Sequence, residues 1–439
     1  MNLGAVLVEL HLVHELADKK NSAAVIGVEV LAHRATGDRP GIESVAGIAD
    51  NNQHAALLIR ELKALDKDII VEGIGGSAMA EAGAMVHYDT VQRAAMGWKG
   101  ALRYFEMRRI FKWSRQHFRQ RPPDLVICID SWAMNWHWAK LAHGMNVPVM
   151  YYIAPQMWAS RPGRIKRLRR YVDRVACILP FEEKFFQDRG VQATFVGHPL
   201  FDELPPHPPD DPATRFPNRP PVIGVIPGSR AAVARENFGN LLQVCDRILE
   251  SFPNATFLVP TMPATHGVVT RLLEAKYSAP PREISENLQA IGPFSLGMNQ
   301  FNQLVPRCDL CLTVSGTATL HAAGHGAPQI VVYRLNPFVW HLAARWIVKA
   351  RVFSLVNLLN DGRQAIVPEF VPWYGSNQPV ADKALEYLRN PRLLTEQRDR
   401  LQNLIRTLNR PGASRNAARL ALDLMVGRET TLGGQPPVA

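Results

Sequence analysis

The chain holds five cysteines in 439 residues, too few and too scattered for the disulfide framework of a small secreted domain. Cys128, Cys177 and Cys245 stand alone in or beside apolar segments, as thiols do in a reducing compartment. Cys308-x-x-Cys311 is half of a zinc pattern, and no second pair completes it, so no metal site is expected. Long apolar runs are missing too. No segment offers the roughly 18 uncharged residues that a membrane span requires. The opening stretch MNLGAVLVELHLVHELADKK lacks a basic start and carries Glu9 and Glu15 within its apolar part, which argues against a secretory signal and for the cytosol. Acids are scarce relative to bases, 39 against 50, for a formal charge of +11. That balance admits an anionic membrane or a nucleic acid as partner without choosing between them.

What is present is an ordinary globular composition, 47% apolar, on a chain too long for one core, so two domains are the default. Short apolar runs alternate with stretches of helical length. IESVA, DIIVEGIGG, DLVICID, VPVMYYIAP, VACILP and ATFVGHP read as buried strands, with helices such as Gln53 to Leu65 and Ala133 to Gly144 between them. The segment PPHPPDDPATRFPNRPP interrupts the pattern, because its prolines exclude a helix or a central strand. Beyond it VIGVIPGS, ATFLVP, LQAIGP, DLCLTVSG and PQIVVY resume the alternation. The expected class is therefore α/β, with two Rossmann-like domains facing a cleft and ligands at the carboxyl ends of the strands. The expected divisions are an extension over residues 1–40, domains over 41–205 and 206–380, and C-terminal helices over 381–439 that pack in part on the first domain.

Two places carry the same chemical pattern. In CLTVSGTATLHAAGHGAPQIVVY a buried strand hands over to a helix through Ser315, Gly316 and Thr317. The first turn of a helix leaves about four N–H groups without internal partners, and small residues let an anion approach them. The plainer reading is that Ser315 and Thr317 cap the helix. The run VIGVIPGSRAAV repeats the arrangement with Gly228, Ser229 and Arg230, whose guanidinium adds a planar fork of donors suited to phosphate. Two such cradles in one domain point to a diphosphate. In the first half, Asp130 ends the strand LVICID, where a carboxylate can serve as general base or simply cap the next helix. His198, in VGHP, reads equally as a turn residue.

The runs YYIAPQMWASRPGRIKRLRRYVDRVACILPFEEKFF, VGHPLFDE, VIPGSR, TVSGTATLHAA and FSLVNLLNDGRQAIVPEF together resemble the lipid-A-disaccharide synthases, from about Glu43 to near the C-terminus. The resemblance implies an inverting glycosyltransferase of the GT-B type. It would move a 2,3-diacylglucosamine from UDP to the 6-hydroxyl of 2,3-diacylglucosamine 1-phosphate, without a cofactor. By the same resemblance Asp130 would be the general base, with Asn135 and His198 supporting the acceptor side. Gly228, Ser229, Arg230, Ser315, Gly316, Thr317, Asn357 and Glu369 would serve the UDP donor. The second domain would then bind the nucleotide-sugar and the first the acceptor. Departures from the family pattern fall at Ile48, Val233 and His321, where the family carries Glu, and at Asn51 and Asn52, where it carries Gly-Asp. They keep two alternatives in view: a re-purposed protein that binds a nucleotide-sugar without this reaction, and a transferase with another sugar donor.

From Lys99 to Arg121 the chain carries eight Lys or Arg and one acid, Glu106. Trp98, Leu102 and Phe105 are spaced to share one helical face flanked by those cations, the pattern of a helix lying on an anionic membrane. The alternative is a core-facing helix with a solvated basic side. No nucleic-acid module accompanies the basic residues, so nucleic acid is not an expected partner. The expectation is a cytoplasmic protein, peripheral on the inner face of the cytoplasmic membrane, in which a homo-oligomer is compatible with the sequence.

Overall fold

The computed structural model describes residues 28–34, 49–89, 100–130, 132–158, 162–202, 204, 219–334, 353–360, 364–373, 375–408 and 410–427. They form two compact units. One takes its described residues from Asp18–Asp202 and Leu408–Ala439, the other from Glu203–Thr407.

The first unit is built on a seven-stranded sheet in the order β3-β2-β1-β4-β5-β6-β7. Its strands are β1 Val28–Arg34, β2 Ile69–Gly75, β3 Met85–Asp89, β4 Leu125–Ile129, β5 Val149–Tyr152, β6 Arg174–Cys177 and β7 Ala193–Phe195. β4 and β5 are buried at every residue, as strands covered on both faces must be, which is why they read as unbroken apolar runs. β1 lies within the stretch read from sequence as an extension. It runs antiparallel to both of its neighbours, β2 and β4, whereas the other pairs are parallel. The expected strand IESVA lies outside the described residues.

The helices of this unit include α1 Ala49–Leu65, α2 Gly100–Gln120 and α3 Trp132–His143. From Met107 onward α2 buries Met107, Ile110, Ser114 and Phe118, three or four residues apart, so one stripe faces the core. The Trp138 indole of α3 donates to Ser114 Oγ at 3.0 Å, and that hydroxyl donates to the Ile110 carbonyl at 3.1 Å. The C-terminal helix Ala413–Val426 completes this unit by burying Ala417, Ala418, Leu420 and Ala421 in its core.

VGHPLFD is where that helix docks. Gly197 has φ +101°, and a Cβ there would stand 2.5 Å from the Arg410 carbonyl, so only glycine fits. The Arg410 guanidinium donates to the Phe195 carbonyl at 2.5 Å, and Asn416 Nδ2 to the Val196 carbonyl at 3.0 Å. Asp202 accepts the N–H groups of Ala413 and Ser414 at 3.0 and 2.9 Å, which satisfies two of the helix's leading donors.

The second unit carries an eight-stranded sheet in the order β10-β11-β12-β9-β8-β13-β14-β15. These are β8 Val222–Ile226, β9 Thr256–Thr261, β10 Arg282–Ser285, β11 Leu288–Ile291, β12 Phe294–Met298, β13 Leu310–Val314, β14 Gln329–Arg334 and β15 Glu369–Trp373. From β12 to β15 every neighbouring pair is parallel, and β10 to β12 form an antiparallel edge. α4 Ala231–Ser251 follows β8, and α5 Thr317–Gly324 follows β13. The fold is α/β.

Candidate active site

In the second unit the chain winds from β8 through β9 to one side of the sheet, then returns to lay β13 against the other edge of β8. Such a reversal opens a crevice at the carboxyl ends of the two strands. Both glycine turns stand there, since β8 and β13 pair in parallel with Ile226 opposite Thr313. Gly228 has φ +90° and Gly316 φ +152°, conformations that side chains oppose. A Cβ at Gly316 would meet nothing within 4 Å, whereas one at Gly228 would come within 3.3 Å of Val233 Cγ1. Neither α4 nor α5 has a side-chain hydrogen bond from its N-cap residue, Arg230 or Gly316. The N-cap position of α5 is thus taken by Gly316 and not by Ser315. The Ser315 hydroxyl donates to the Phe353 carbonyl at 3.1 Å. Ser229, Arg230 and Thr317 are exposed. Burial pushes the Tyr333 phenol up to about 12, while the nearby charge of Arg230 pulls it the other way.

The bond from Ser315 leads into a second network. Glu369 Oε2 accepts the Phe353 N–H at 2.6 Å. Glu369 Oε1 accepts the Ser354 N–H at 2.9 Å, the Ser354 hydroxyl at 2.5 Å and Asn357 Nδ2 at 2.6 Å. Asn357 Nδ2 also donates to the Val367 carbonyl at 2.8 Å, and its Oδ1 accepts the N–H groups of Ile366 and Val367 at 2.6 and 3.0 Å. An amide has two protons to give and two lone pairs to fill. All four of Asn357's are used inside the protein, and the side chain is buried. In this structure Asn357 and Glu369 bolt residues 353–357 to 366–369, beside the Ser315 turn. Ser354, at the centre of that bolt, was missed from sequence. Its spacing to Asn357, whose N–H its hydroxyl accepts at 3.2 Å, is the signal that could have found it.

In the first unit Asp130 closes β4 with φ +52° and is half-buried. Asn135, buried in α3, donates from Nδ2 to the carbonyls of Ile129 and Asp130 at 3.0 and 3.1 Å, so the structure joins these two sequence-selected residues. The Tyr151 phenol donates to the same Asp130 carbonyl, a partner the sequence reading missed. His198 is 7% exposed, and its Nδ1 accepts the Leu200 N–H at 3.2 Å, which leaves the ring proton on Nε2. Burial, reinforced by nearby His54, lowers His198 to about 3. His198 is thus a neutral imidazole near pH 7 and no proton acceptor there. His54, on α1, is itself lowered to about 4 by burial, and the sequence reading assigned it no role.

The departures from the family pattern fall in different settings. Val233 is buried and packs beneath the Gly228 turn. His321 Nε2 lies 2.6 Å from Asn302 Oδ1, its ring stacked on Phe301 with centroids 4.1 Å apart. His325 Nε2 meets the same Asn302 oxygen at 2.9 Å. Ile48 and the side chains of Asn51 and Asn52 lie outside the described residues. Cys308 and Cys311 are buried, their sulfurs 3.0 and 2.7 Å from where a Cβ on Gly224 would stand, which is why that strand position is glycine. Trp98 and the side chains of Leu102 and Phe105 also lie outside the described residues. Further along α2, Arg108, Arg109, Lys112, Arg115 and Arg119 are exposed. Among the described residues no helix is long and apolar enough to cross a membrane.

A sequence profile described as lipid-A-disaccharide synthetase matches residues 42–424. The lipid-A-disaccharide synthase of Geobacter sulfurreducens is 32% identical over 386 residues, which is 87% of this chain and 96% of that one. The Myxococcus xanthus protein of the same name is 30% identical over 394 residues, 88% and 98% of the two chains. Among solved structures, an S. aureus MnaA–UDP complex aligns with a TM-score of 0.55 at 12% identity, covering 87% of this chain and 96% of its own. The UDP-GlcNAc 2-epimerase of Neisseria meningitidis, bound to UDP-GlcNAc, aligns at 0.51 and 12%, covering 86% and 97%. At such identities the structural likeness speaks for the fold alone. It agrees with the expected α/β class built from two Rossmann-like domains of the GT-B type.

Proposed function

The chain belongs to the lipid-A-disaccharide synthetase family and is a glycosyltransferase of lipid A synthesis, and we propose that it joins two acylated glucosamines. The donor is UDP-2,3-diacylglucosamine and the acceptor 2,3-diacylglucosamine 1-phosphate. Asp130 takes the proton from the acceptor's 6-hydroxyl as that oxygen bonds to the donor's anomeric carbon. The bond from that carbon to the UDP oxygen breaks, its electron pair leaves with UDP, and the configuration inverts. His198 stays neutral throughout and supports the acceptor side as a hydrogen-bond donor from Nε2.

The observation that carries this reading is the pair of glycine turns, Gly228 and Gly316, on adjacent parallel strands where the sheet reverses. Two helix starts free of side-chain caps, with Arg230 beside one of them, suit the two negative phosphates of UDP. Donors fixed in place before reaction stabilise charge as it develops on the leaving group. Asn357 and Glu369 serve by holding residues 353–357 and 366–369 together beside Ser315. The acylated substrates favour a protein peripheral on the cytoplasmic face of the inner membrane, and the exposed cations of α2 support attraction to anionic lipid.

The test is product formation. The purified protein, given the UDP-linked donor and the 1-phosphate acceptor, should release UDP and yield a tetraacyl disaccharide 1-phosphate by mass spectrometry. Asp130→Ala should bind UDP as the parent does and form no product. UDP binding without product across several acyl lengths would favour a re-purposed binding protein instead. That outcome would direct attention to Val233 and His321, where the family's carboxylates are replaced.

A further inference from the structure

We propose that Tyr151 is a positioning residue for Asp130, a role that rests on Asp130 being the general base. Asp130 sits in the left-handed region, φ +52°, which Asp tolerates better than most residues but does not prefer. Main-chain bonds keep it there. Its N–H donates to the Tyr152 carbonyl at 3.0 Å. Its carbonyl accepts Asn135 Nδ2 at 3.1 Å and the Tyr151 hydroxyl. Tyr151 comes from β5 and Asn135 from α3, so two elements converge on one peptide oxygen. Both side chains are 0% exposed, and neither donor can readily turn to water instead.

The orientation of that peptide decides where the carboxylate stands. An extended residue would continue the alternation of β4 and send the side chain to one face of the sheet. The left-handed turn takes it out of that alternation. Asn135 is anchored by its second bond, to the Ile129 carbonyl, and would stay in place without Tyr151. The hydroxyl is therefore the part that can be removed cleanly. A phenylalanine would fill the same volume in the core, so packing alone gives no reason for a phenol in this strand.

The experiment compares Tyr151→Phe with the parent in the full chain. The variant should melt within a few degrees of the parent and bind UDP equally by calorimetry. Its kcat should fall about tenfold, equivalent to about 1.4 kcal/mol, with KM for both substrates unchanged. A merely structural hydroxyl would lower the melting temperature and raise KM instead, and that pattern overturns the proposal. Adding Tyr151→Phe to Asp130→Asn should cost nothing further in residual turnover, because the hydroxyl acts only through Asp130. If Asp130→Ala kills turnover while Tyr151→Phe keeps the parent's kcat, the positioning role fails and the general-base reading stands. If Asp130→Ala is fully active, the general-base reading itself fails. A crystal structure of Tyr151→Phe gives a readout independent of activity: residue 130 should leave the left-handed region or split into two conformers. A single left-handed conformer matching the parent would refute the clamp.

Discussion

Exchanging the polar partners at the Glu369–Asn357 bolt gives a sharp test of how the donor site is held. In Glu369→Gln one carboxylate oxygen becomes an NH2. The four donors now facing Glu369 are the N–H groups of Phe353 and Ser354, the Ser354 hydroxyl and Asn357 Nδ2. Whichever way the amide turns, at least one contact becomes donor against donor, and those that remain lose the carboxylate's charge. Bonds to a charged acceptor contribute about 1.5–3 kcal/mol each. The loss of one contact and the weakening of the others should then cost about 3 kcal/mol, which is about 100-fold if it appears wholly in UDP affinity. Asn357→Asp should be at least as damaging, because it sets a carboxylate against Glu369 where 2.6 Å now separates donor from acceptor. The double variant restores a donor–acceptor pair between the two side chains, with the roles reversed. Its loss should be smaller than the sum of the single losses by about 1–3 kcal/mol, the range of coupling between directly bonded residues. Calorimetry with UDP, together with hydrogen exchange over residues 353–367, would measure this. Additive losses, or single variants with the parent's UDP affinity, would refute the view that the bolt supports the Ser315 turn.

Three further outcomes are expected. Gly228→Ala forces a side chain to φ +90° and towards Val233, at a cost of about 1–2 kcal/mol; the melting temperature and UDP affinity should both fall, and an unchanged affinity would separate this turn from the donor. His198 titrates at about 3 in the folded chain against about 6.5 unfolded, so its contribution to stability is fully present above pH 6.5 and is lost as the pH falls towards 3. The slope is at most about 1.4 kcal/mol per pH unit, and His198→Gln should flatten it in urea titrations at pH 7, 6 and 5. The exposed cations of α2 should give binding to anionic vesicles that weakens with added salt and is weak on neutral ones; salt-independent binding would point to an apolar contact.

The glycine turns were legible because each is written locally, as an apolar run, then small residues, then a helical stretch. Gly228 and Gly316 needed no distant partner to be recognised. The meeting of the two turns at one sheet reversal depends on strand order, which no local pattern carries. Glu369 and Asn357 were read as ligand contacts, yet their bonds close on main-chain groups up to sixteen residues away, a pairing made by the return of the chain. Tyr151 was invisible for a similar reason. In VPVMYYIAP it reads as one more apolar strand residue, and only the register with β4 brings its hydroxyl to Asp130. His198 in VGHP read from its residues as a turn residue and took an acceptor-side role only through the family resemblance, and much of the composition of VGHPLFD is set by the docking of a helix more than two hundred residues later in the chain.

That docking bears on how the protein is made. Among the described residues the first unit begins with β1 and ends with Ala413–Val426 and the glycine after it, with the whole of the described second unit synthesised in between. While the ribosome adds those roughly 200 residues, at about 5–20 per second, Ala417, Ala418, Leu420 and Ala421 are not yet available. For about 10–40 s the apolar patch they will cover stands open and Asp202 has no helix to cap. The second unit can finish before the first, reversing the usual order from the N-terminus. A released chain truncated just after Leu408, which keeps the whole of the second unit and lacks the docking helix, should therefore yield a protease-resistant second unit and a susceptible first one.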